Sequence, residues 1–239
     1  MKQYSESAVL SANQFDYHDN VLPWVVLDLF QTVAGHHAEQ LGVGFQTMLS
    51  KNLLWVITQI KYQVLTAPKP AQALTLTTWP LPPSRLGFDR EYLICDEAGN
   101  VLIKGTSKWM QIDAVERKLV PSTNVYPLTK YCTDKNFEEK IRRIRDFETT
   151  GKVSRIIPDE STIDLNNHVN NAAYALFAQM ALEDFGGMID TFQIDFLHEV
   201  LLGQPLDVGY AASEKSILVK GTGEDGERKF TCGIELRRL

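Results

Sequence analysis

The chain has 239 residues, of which 44% are hydrophobic and 23% charged, the balance of a globular protein with a substantial core. Its formal net charge of −6 argues against nucleic-acid binding, because no basic excess exists to neutralise phosphates. Three cysteines without a Cys-x-x-Cys spacing predict a reducing compartment and no disulfide framework. No signal or transit character is present and no apolar run approaches the ~20 residues that span a bilayer, so we expect a cytoplasmic protein without membrane insertion.

The first half of the chain predicts one helix followed by an antiparallel meander. Apolar residues recur at three- and four-residue intervals over residues 22–41, with Pro23 in the first turn and Gly42 after the end. Asp19 or Asn20 can cap the start of this helix. Runs of β type follow, the last two joined as a hairpin, at 54–64, 74–79, 90–96 and 101–113.

The second half repeats this order of elements. Asn170 or Asn171 can cap a second helix that runs to about Asp184. Runs of β type follow it at 192–196, 206–211, 216–221 and 229–236. Neither sheet could bury its apolar face without a helix, so each half forms two packed layers. We therefore predict an α+β protein of two repeats, residues 1–125 and 150–239.

A charged linker, residues 126–149, joins the two repeats. Phe137, Ile141 and Ile144 within it have helical spacing, whereas most of its other residues are charged or polar. This pattern predicts a helix that lies on the surface.

Covalent and metal-dependent chemistry find little support in the sequence. No Gly-x-Ser-x-Gly is present, and Cys132 has no obvious partner. Cys95 and Cys232 fall in alternating strands, where a small buried side chain is the commoner interpretation. The five histidines lack metal-ligand spacing, so we predict neither a metal site nor a cofactor.

The stretch most suggestive of function is 164–171, Asp-Leu-Asn-Asn-His-Val-Asn-Asn. A carboxylate, a carboxamide and an imidazole alternate at Asp164, Asn166 and His168. A helix follows, and the first N–H groups of a helix have no helical acceptor. Together these groups could activate water against a carbonyl and hold the resulting oxyanion. The alternative is an Asx-turn with a helix cap, but a cap requires only one short polar side chain.

Glu199 is a second candidate carboxylate, because it follows the apolar alternation of residues 192–196. Strict alternation puts it on the face opposite Phe196, as an exposed residue at the strand end. It reaches the helix side only if the strand bulges or ends there. The sequence leaves both arrangements open.

These residues make the chain resemble the acyl-acyl carrier protein thioesterases, fatty-acid-releasing enzymes of bacteria and plant plastids. Residues 164–171 resemble the family's Asp-x-Asn-x-His-Val-Asn-Asn signature. Further similar landmarks occur in the same order, at 37–42, 55–57, 78–80, 90–92 and 106–109. The resemblance implies a tandem hotdog fold, in which two long helices are each wrapped by an antiparallel β-sheet. It also implies an active-site set, namely Asp164, Asn166, His168 and Glu199.

The chain departs from the family pattern at two positions near this set. Val200 stands where some plant members have a cysteine directly after the glutamate, which speaks against cysteine chemistry here. Thr162 stands where many members have another aspartate, so Asp164 lacks a negative neighbour.

The resemblance implies hydrolysis of the thioester of fatty acyl-acyl carrier protein, which releases free fatty acid and ends chain elongation. We expect the substrate to lie at the second helix, where the backbone N–H groups of Asn170, Asn171 and the next residue polarise the carbonyl with the Asn166 amide. Asp164 or Glu199 would deprotonate the attacking water, and the sequence does not decide between them.

The acyl chain is expected in an apolar slot of the first repeat, which has a helix and a sheet but no Asp-x-Asn-x-His run. Val26, Phe30, Trp55 and Ile57 are candidates for lining this slot. Plain core packing is an equally good interpretation for each of them.

The implied partner, acyl carrier protein, is acidic like this chain, so docking would require a local basic patch. The densest group of cations lies in the linker, at Lys135, Lys140, Arg142, Arg143 and Arg145. A solvated surface segment is the other interpretation of these cations.

Three other functions share the expected fold: an acyl-CoA thioesterase, a non-catalytic acyl-thioester sensor and a hydroxyacyl dehydratase. No basic helix-turn-helix flanks the repeats, as a sensor would require, and the signature fits a dehydratase poorly. The sequence leaves open the preferred acyl chain and the presence of a homodimer.

Overall fold

The computed structural model describes residues 2–121, 131–151, 153–164, 167–182 and 187–237. The chain divides into two compact units. The first consists of Met1–Ala12 and Asp28–Ile141, and the second of Asn13–Leu27 and Arg142–Leu239. This division differs from the predicted boundaries, because residues 13–27 group with the C-terminal half and the linker divides after Ile141.

The described part of the chain contains three α-helices, namely α1 (Pro23–Gln40), α2 (Phe45–Leu49) and α3 (Asn171–Leu182). The helices α1 and α3 are those that the periodicity predicts, and α1 begins at Pro23 as expected for a proline at the first helical position. Gly42 follows α1 with φ of 73°, a conformation that glycine adopts without strain. No helix within the described ranges is long and apolar enough to cross a membrane.

The described residues of the first unit form an antiparallel sheet in the order β1-β3-β4-β5-β2, with the short β6 on β5. The alternation of apolar and polar residues in the sequence predicts all of these strands except β1 and β6. The strands are β1 (Tyr4–Val9), β2 (Leu53–Val64), β3 (Ala73–Pro80), β4 (Phe88–Cys95), β5 (Val101–Asp113) and β6 (Leu119–Val120).

The described residues of the second unit form a second antiparallel arrangement, in the order β8-β11-β10-β9-β7. Four of its five strands follow α3 in the meander that the sequence predicts. The strands are β7 (Ser154–Ile156), β8 (Ile189–Phe196), β9 (Leu206–Ala212), β10 (Ser216–Gly223) and β11 (Arg228–Leu236).

Each unit packs the apolar side of a helix against its sheet, which confirms the predicted α+β class. In the first unit, Phe30 of α1 stacks on Tyr92 of β4 with ring centroids 4.2 Å apart. In the second unit, Tyr174 of α3 meets Phe230 of β11 edge-on at 5.3 Å. Burying one such aromatic side chain stabilises the fold by about 1.5–3 kcal/mol, so these contacts hold helix and sheet together.

Asn20 does not cap α1, because its carboxamide bonds to a distant part of the second unit. Its Nδ2 donates to Gly187 O at 2.9 Å, and its Oδ1 accepts from Ile189 N at 2.8 Å. Asp19, the other predicted cap, lies in the left-handed region with φ of 61°. Asn20 thereby holds residues 13–27 at the start of β8.

The predicted linker helix is wrong for the described residues 131–151, which contain no helix. Asn136 Nδ2 donates to the carbonyls of Tyr92 and Gly105 in the first unit, each at 2.8 Å. In the second unit, Ile144 N donates to Asp195 Oδ2 at 2.6 Å. Bonds to strand residues therefore replace the helical bonds that the apolar spacing favours. Residues 126–130 of the predicted linker lie outside the described residues.

Phe30 lies so close to β5 that only glycine fits beneath it. A Cβ at Gly105 would overlap the Phe30 ring. We expect Gly105→Ala to lower the free energy of unfolding by about 1–3 kcal/mol, because the extra methyl overpacks a close-packed core. Urea denaturation followed by tryptophan fluorescence measures this difference.

Gly35→Ala is the matched control, because Gly35 is exposed in α1 and a Cβ there meets no heavy atom within 4 Å. Alanine is the better helix former, so this variant should gain about 0.5–1 kcal/mol. A Gly105→Ala protein as stable as the unsubstituted chain would contradict the close approach of α1 to β5.

Candidate active site

Asp164 and His168 lie at the two ends of one tight turn. Asp164 N donates to His168 O at 2.8 Å, and His168 N donates back to Asp164 Oδ1 at 3.3 Å. Asn167 has φ of 63°, a left-handed conformation that asparagine tolerates better than most residues. The flanking residues Ile163 and Val169 form an antiparallel bridge. The Asp164 carboxylate therefore accepts a backbone N–H four residues further along the chain, and this bond brings it beside the His168 backbone.

The turn pairs with the loop that follows β8, and this pairing brings Glu199 to His168. Val169 N donates to Val200 O at 2.8 Å, and His168 forms an antiparallel bridge with Leu201. Glu199 Oε2 then lies 3.1 Å from His168 Nε2. The Glu199 side chain is 50% exposed and that of His168 25%, so both can meet a ligand from solution.

The position of β8's end decides the open question about Glu199. The strand ends at Phe196, so the alternation of faces no longer applies three residues later. Leu197 N and His198 N both donate to Lys229 O, at 2.9 and 3.1 Å, and turn the chain away from the strand direction. Three of the four predicted catalytic residues are thus brought together, whereas Asn166 lies outside the described residues.

Two backbone N–H groups at the start of α3 are hydrogen-bonded within the protein. Asn170 Oδ1 accepts from Ala172 N at 2.8 Å, which makes Asn170 the cap of the helix. Asn170 N donates to Thr162 O at 2.8 Å. The N–H groups of Asn170 and Ala172 are therefore not available to polarise a carbonyl, contrary to the prediction. Asn171 begins the helix with a half-buried side chain.

The four predicted acyl-slot residues make contacts of core type. Val26, Phe30 and Ile57 are at most 3% exposed. Trp55 is half-buried, meets Phe88 edge-on at 4.8 Å and donates from Nε1 to a backbone carbonyl. Val26 belongs to the second unit and the other three to the first. A role in holding an acyl chain stays a prediction for all four residues.

A groove of about 320 Å³ opens beside Glu199. Its walls come from the loop between β8 and β9 and from the hairpin between β10 and β11, namely Glu199 to Leu201, Gln204 to Leu206, Gly223 to Asp225 and Lys229. The ammonium of Lys229 is held by the carboxylates of Asp225 and Glu227. The groove gives solvent and ligands access to the Glu199 carboxylate.

Tyr174 belongs to this site, although the sequence pattern gives it no chemical role. Burial raises its pKa well above the ordinary value for tyrosine, and the carboxylates of Glu199 and Asp164 raise it further. A hydrogen bond from the Val200 backbone N–H acts in the opposite direction. The only sequence signal was its place three residues after Asn171, on the same side of α3.

No metal centre is found among the described residues, and the environments of two cysteines disfavour a thiolate. Within those ranges, no group of three or more histidine, cysteine or acidic side chains could hold a metal ion. Cys232 is buried and burial raises its pKa well above the ordinary value, which disfavours the thiolate. Burial also raises the pKa of Cys95 in β4.

Comparisons with known proteins bear on the family and on the fold. A model of the acyl-ACP thioesterase N-terminal domain matches residues 2–126. The chain is 25% identical over 194 residues to the chloroplastic oleoyl-acyl carrier protein thioesterase of Coriandrum sativum, covering 72% of this chain and 51% of that protein. It is 27% identical over 163 residues to the chloroplastic palmitoyl-acyl carrier protein thioesterase of Arabidopsis thaliana, covering 62% of this chain and 40% of that protein. The match thus spans about half the length, or less, of these curated relatives.

Two solved structures share the fold over almost their whole length. An acyl-ACP thioesterase from Bacteroides thetaiotaomicron has a TM-score of 0.85 at 21% identity, covering 98% of this chain and 97% of that one. The 12:0-ACP thioesterase from Umbellularia californica has a TM-score of 0.86 at 17% identity, covering 99% and 98%. These matches confirm the α+β double hotdog fold. Because the family model covers more than half of its residues, the chain belongs to the acyl-ACP thioesterase family.

Proposed function

We propose that the chain hydrolyses the thioester of fatty acyl-acyl carrier protein, which releases the free fatty acid and ends chain elongation. The observation that carries this proposal is the 3.1 Å contact between Glu199 Oε2 and His168 Nε2 beside an open groove. A carboxylate paired with an imidazole is suited to accept a proton from water. Family membership and the names of the relatives support a thioester as the bond that is cleaved.

The mechanism follows from the places of the two carboxylates. Asp164 Oδ1 accepts the backbone N–H of His168, so Asp164 orients the histidine. Glu199 meets the imidazole itself and borders the groove, so the pair of Glu199 and His168 activates the water. The water oxygen attacks the thioester carbonyl carbon while its proton passes to this pair. The carbon–sulfur bond then breaks, and the leaving thiolate takes up the proton.

The carbonyl oxygen needs a hydrogen-bond donor during this attack. The N–H groups of Asn170 and Ala172 are occupied. The Asn166 carboxamide, which belongs to the active-site set that the family resemblance implies, is the proposed donor. Loss of an oxyanion donor lowers rates by about 10²–10³-fold in other hydrolases. A thioester is an activated acyl group with a good leaving group, and for this reason it requires less stabilisation than an amide.

Replacing Glu199 by glutamine tests the proposed base. We expect Glu199→Gln to lower kcat by about 10²–10⁴-fold, because the neutral amide cannot accept the proton of the attacking water. Release of thiol from acyl-acyl carrier protein at saturating substrate measures kcat. Glu235→Gln on the exposed side of β11 is the control, with kcat unchanged. Full turnover by Glu199→Gln would remove Glu199 from the mechanism.

Two histidines near Glu199, one in contact with its carboxylate and one preceding it in the chain, allow a matched comparison of variants. We expect His168→Gln to lower kcat by about 10²-fold or more, because the imidazole that pairs with Glu199 is lost. His198→Gln should keep full activity, since His198 is half-exposed and its ring lies 3.9 Å from Glu227. Equal losses in the two variants would show that turnover responds to either substitution near Glu199, and would argue against a specific role for His168.

The proposed partner is an acyl carrier protein, and the exposed linker offers a docking surface for it. Residues 135–145 hold five cations against two carboxylates, in a chain whose net charge is −6. All five cations are exposed, and the segment has no helix on which the glutamates could pair with them at regular spacing. An acidic carrier would therefore meet a local positive surface. The cytoplasmic location and the homodimer considered from the sequence stay predictions.

Charge reversal tests this docking surface. We expect Arg142→Glu with Arg143→Glu to raise KM for the carrier-bound substrate by about tenfold, because like charges then face each other. Turnover of the same acyl group on a small soluble thiol should not change. Lys69→Glu with Arg85→Glu makes the same charge change at exposed positions elsewhere, and should leave both substrates unaffected. An unchanged KM for the linker variant would exclude this surface as the docking site.

A comparison of one acyl group on the carrier protein and on CoA tests the partner itself. Faster turnover of acyl-CoA than of the carrier-bound substrate would exclude the carrier as the natural partner.

A further inference from the structure

Two acidic residues are buried on sheet faces that point away from the helices. Glu91 of β4 is 3% exposed, although the next residue, Tyr92, stacks on α1. Asp195 of β8 is 0% exposed, although the next residue, Phe196, contacts α3. Because successive side chains of a strand point to opposite faces, both carboxylates lie on the outer face, where solvent would normally hydrate them. Another part of the chain therefore covers them.

The linker covers Glu91 in the first unit. Asn136 N donates to Glu91 Oε2 at 2.8 Å, and Thr106 Oγ1 donates to Glu91 Oε1 at 2.8 Å. Both oxygens of the carboxylate thus accept a hydrogen bond, as a buried charge requires. Asn136 Nδ2 also donates to the carbonyls of Tyr92 and Gly105, so the linker is attached to both β4 and β5.

The same arrangement occurs in the second unit with different residues. Ile144 N donates to Asp195 Oδ2 at 2.6 Å, and Gln193 Nε2 donates to Asp195 Oδ1 at 3.0 Å. Gln193 Nε2 also donates to Arg142 O at 2.8 Å. In each unit, a buried carboxylate therefore accepts a linker N–H with one oxygen and a strand side chain with the other.

These two attachments lie directly beside cations of the linker. Asn136 follows Lys135, and Ile144 lies between Arg143 and Arg145. All three of these cations are exposed, so their backbone is held while their charged groups face solvent. A surface that is fixed before binding loses less conformational entropy when a partner docks.

We propose that Glu91 and Asp195 are positioning residues of the docking surface. Their carboxylates hold the linker backbone at Asn136 in the first unit and at Ile144 in the second, so that the neighbouring cations meet an acidic carrier protein from a fixed backbone. This inference rests on the proposed function, because it assigns the two carboxylates an effect on carrier binding. The competing interpretation is that these hydrogen bonds only satisfy buried charges.

Glu91→Leu and Asp195→Asn, made separately, test the proposal in the two units. Leucine has no acceptor for the linker N–H, and asparagine has one acceptor oxygen for two N–H donors. We expect KM for acyl-acyl carrier protein to rise by about 3–10-fold, with turnover of the same acyl group on a small soluble thiol unchanged. Loss of a negative charge alone would instead favour an acidic partner and lower KM.

Trypsin measures the state of the linker backbone directly, because it cleaves after lysine and arginine and requires a locally opened segment. We expect cleavage within residues 135–145 to be about tenfold faster in both variants, measured well below the Tm so that the unfolded chain does not contribute. Glu235→Gln removes the same charge at an exposed position on the outer side of β11. This control should change neither the cleavage rate nor KM.

The outcomes separate this inference from the proposed function. An unchanged or lower KM in both variants, or an unchanged cleavage rate, would overturn the positioning role. Equal losses on the carrier-bound and the small substrate would also overturn it, because a general loss of structure affects both. An unchanged KM in Arg142→Glu with Arg143→Glu would remove the docking surface and this inference with it, whereas thioester hydrolysis is tested independently by Glu199→Gln.

Hydrogen exchange provides a second measurement that needs no substitution. The N–H groups of Asn136 and Ile144 donate to buried carboxylates, so we expect both to exchange at least about 10²-fold more slowly than in an unstructured peptide. Nuclear magnetic resonance of the unsubstituted chain resolves these two amides. Exchange at the peptide rate at both positions would overturn the proposal.

Discussion

The candidate site depends on one backbone hydrogen bond, donated by Val169 N to Val200 O at 2.8 Å. On one side of it lies the turn that presents Asp164 and His168, and on the other the loop that presents Glu199. Either segment alone is an ordinary irregular connection with no preference for the other. Their pairing is stabilised by the burial of Val169 and Val200, which are 3% and 1% exposed, so the geometry of the polar groups is set by the apolar residues between them.

Hydrogen bonds within the protein also explain why two of the N–H groups at the start of α3 do not serve as the predicted oxyanion donors. A helix N-terminus either binds a ligand with its N–H groups or has them satisfied by the protein, and each N–H does one of these at a time. Here Asn170 accepts from Ala172 N and donates its own N–H to Thr162 O. The second of these bonds attaches the start of α3 to Thr162, just before the turn that begins at Asp164. Hydrogen bonds within the protein therefore occupy two N–H groups that the sequence pattern alone assigned to the substrate.

Regular patterns in the sequence predicted the fold well, and the exceptions have identifiable causes. Alternation and helical spacing gave α1, α3 and most strands because each element buries one face. The prediction of a helix in the linker failed because Asn136 and Asp195 form hydrogen bonds that a local sequence pattern cannot reveal. Glu199 stayed undecided because its place depends on where β8 ends, which hydrogen bonds to Lys229 O determine. The packing of Tyr174 against Phe196 and Phe230 could not be predicted, because an aromatic residue in an apolar helix does not reveal which strands it meets.

Positions 199 and 200 show how two neighbouring side chains of one loop differ in exposure, one a candidate catalytic residue and the other a core residue. Both residues line the groove, but the Glu199 side chain is 50% exposed, whereas the Val200 residue is 1% exposed. A thiol in that environment would have a raised pKa and would be a poor nucleophile, as burial already makes Cys232 elsewhere in the unit. The apolar side chain at position 200 is therefore best understood as the anchor of the loop, in keeping with the proposal that water and Glu199 carry the chemistry.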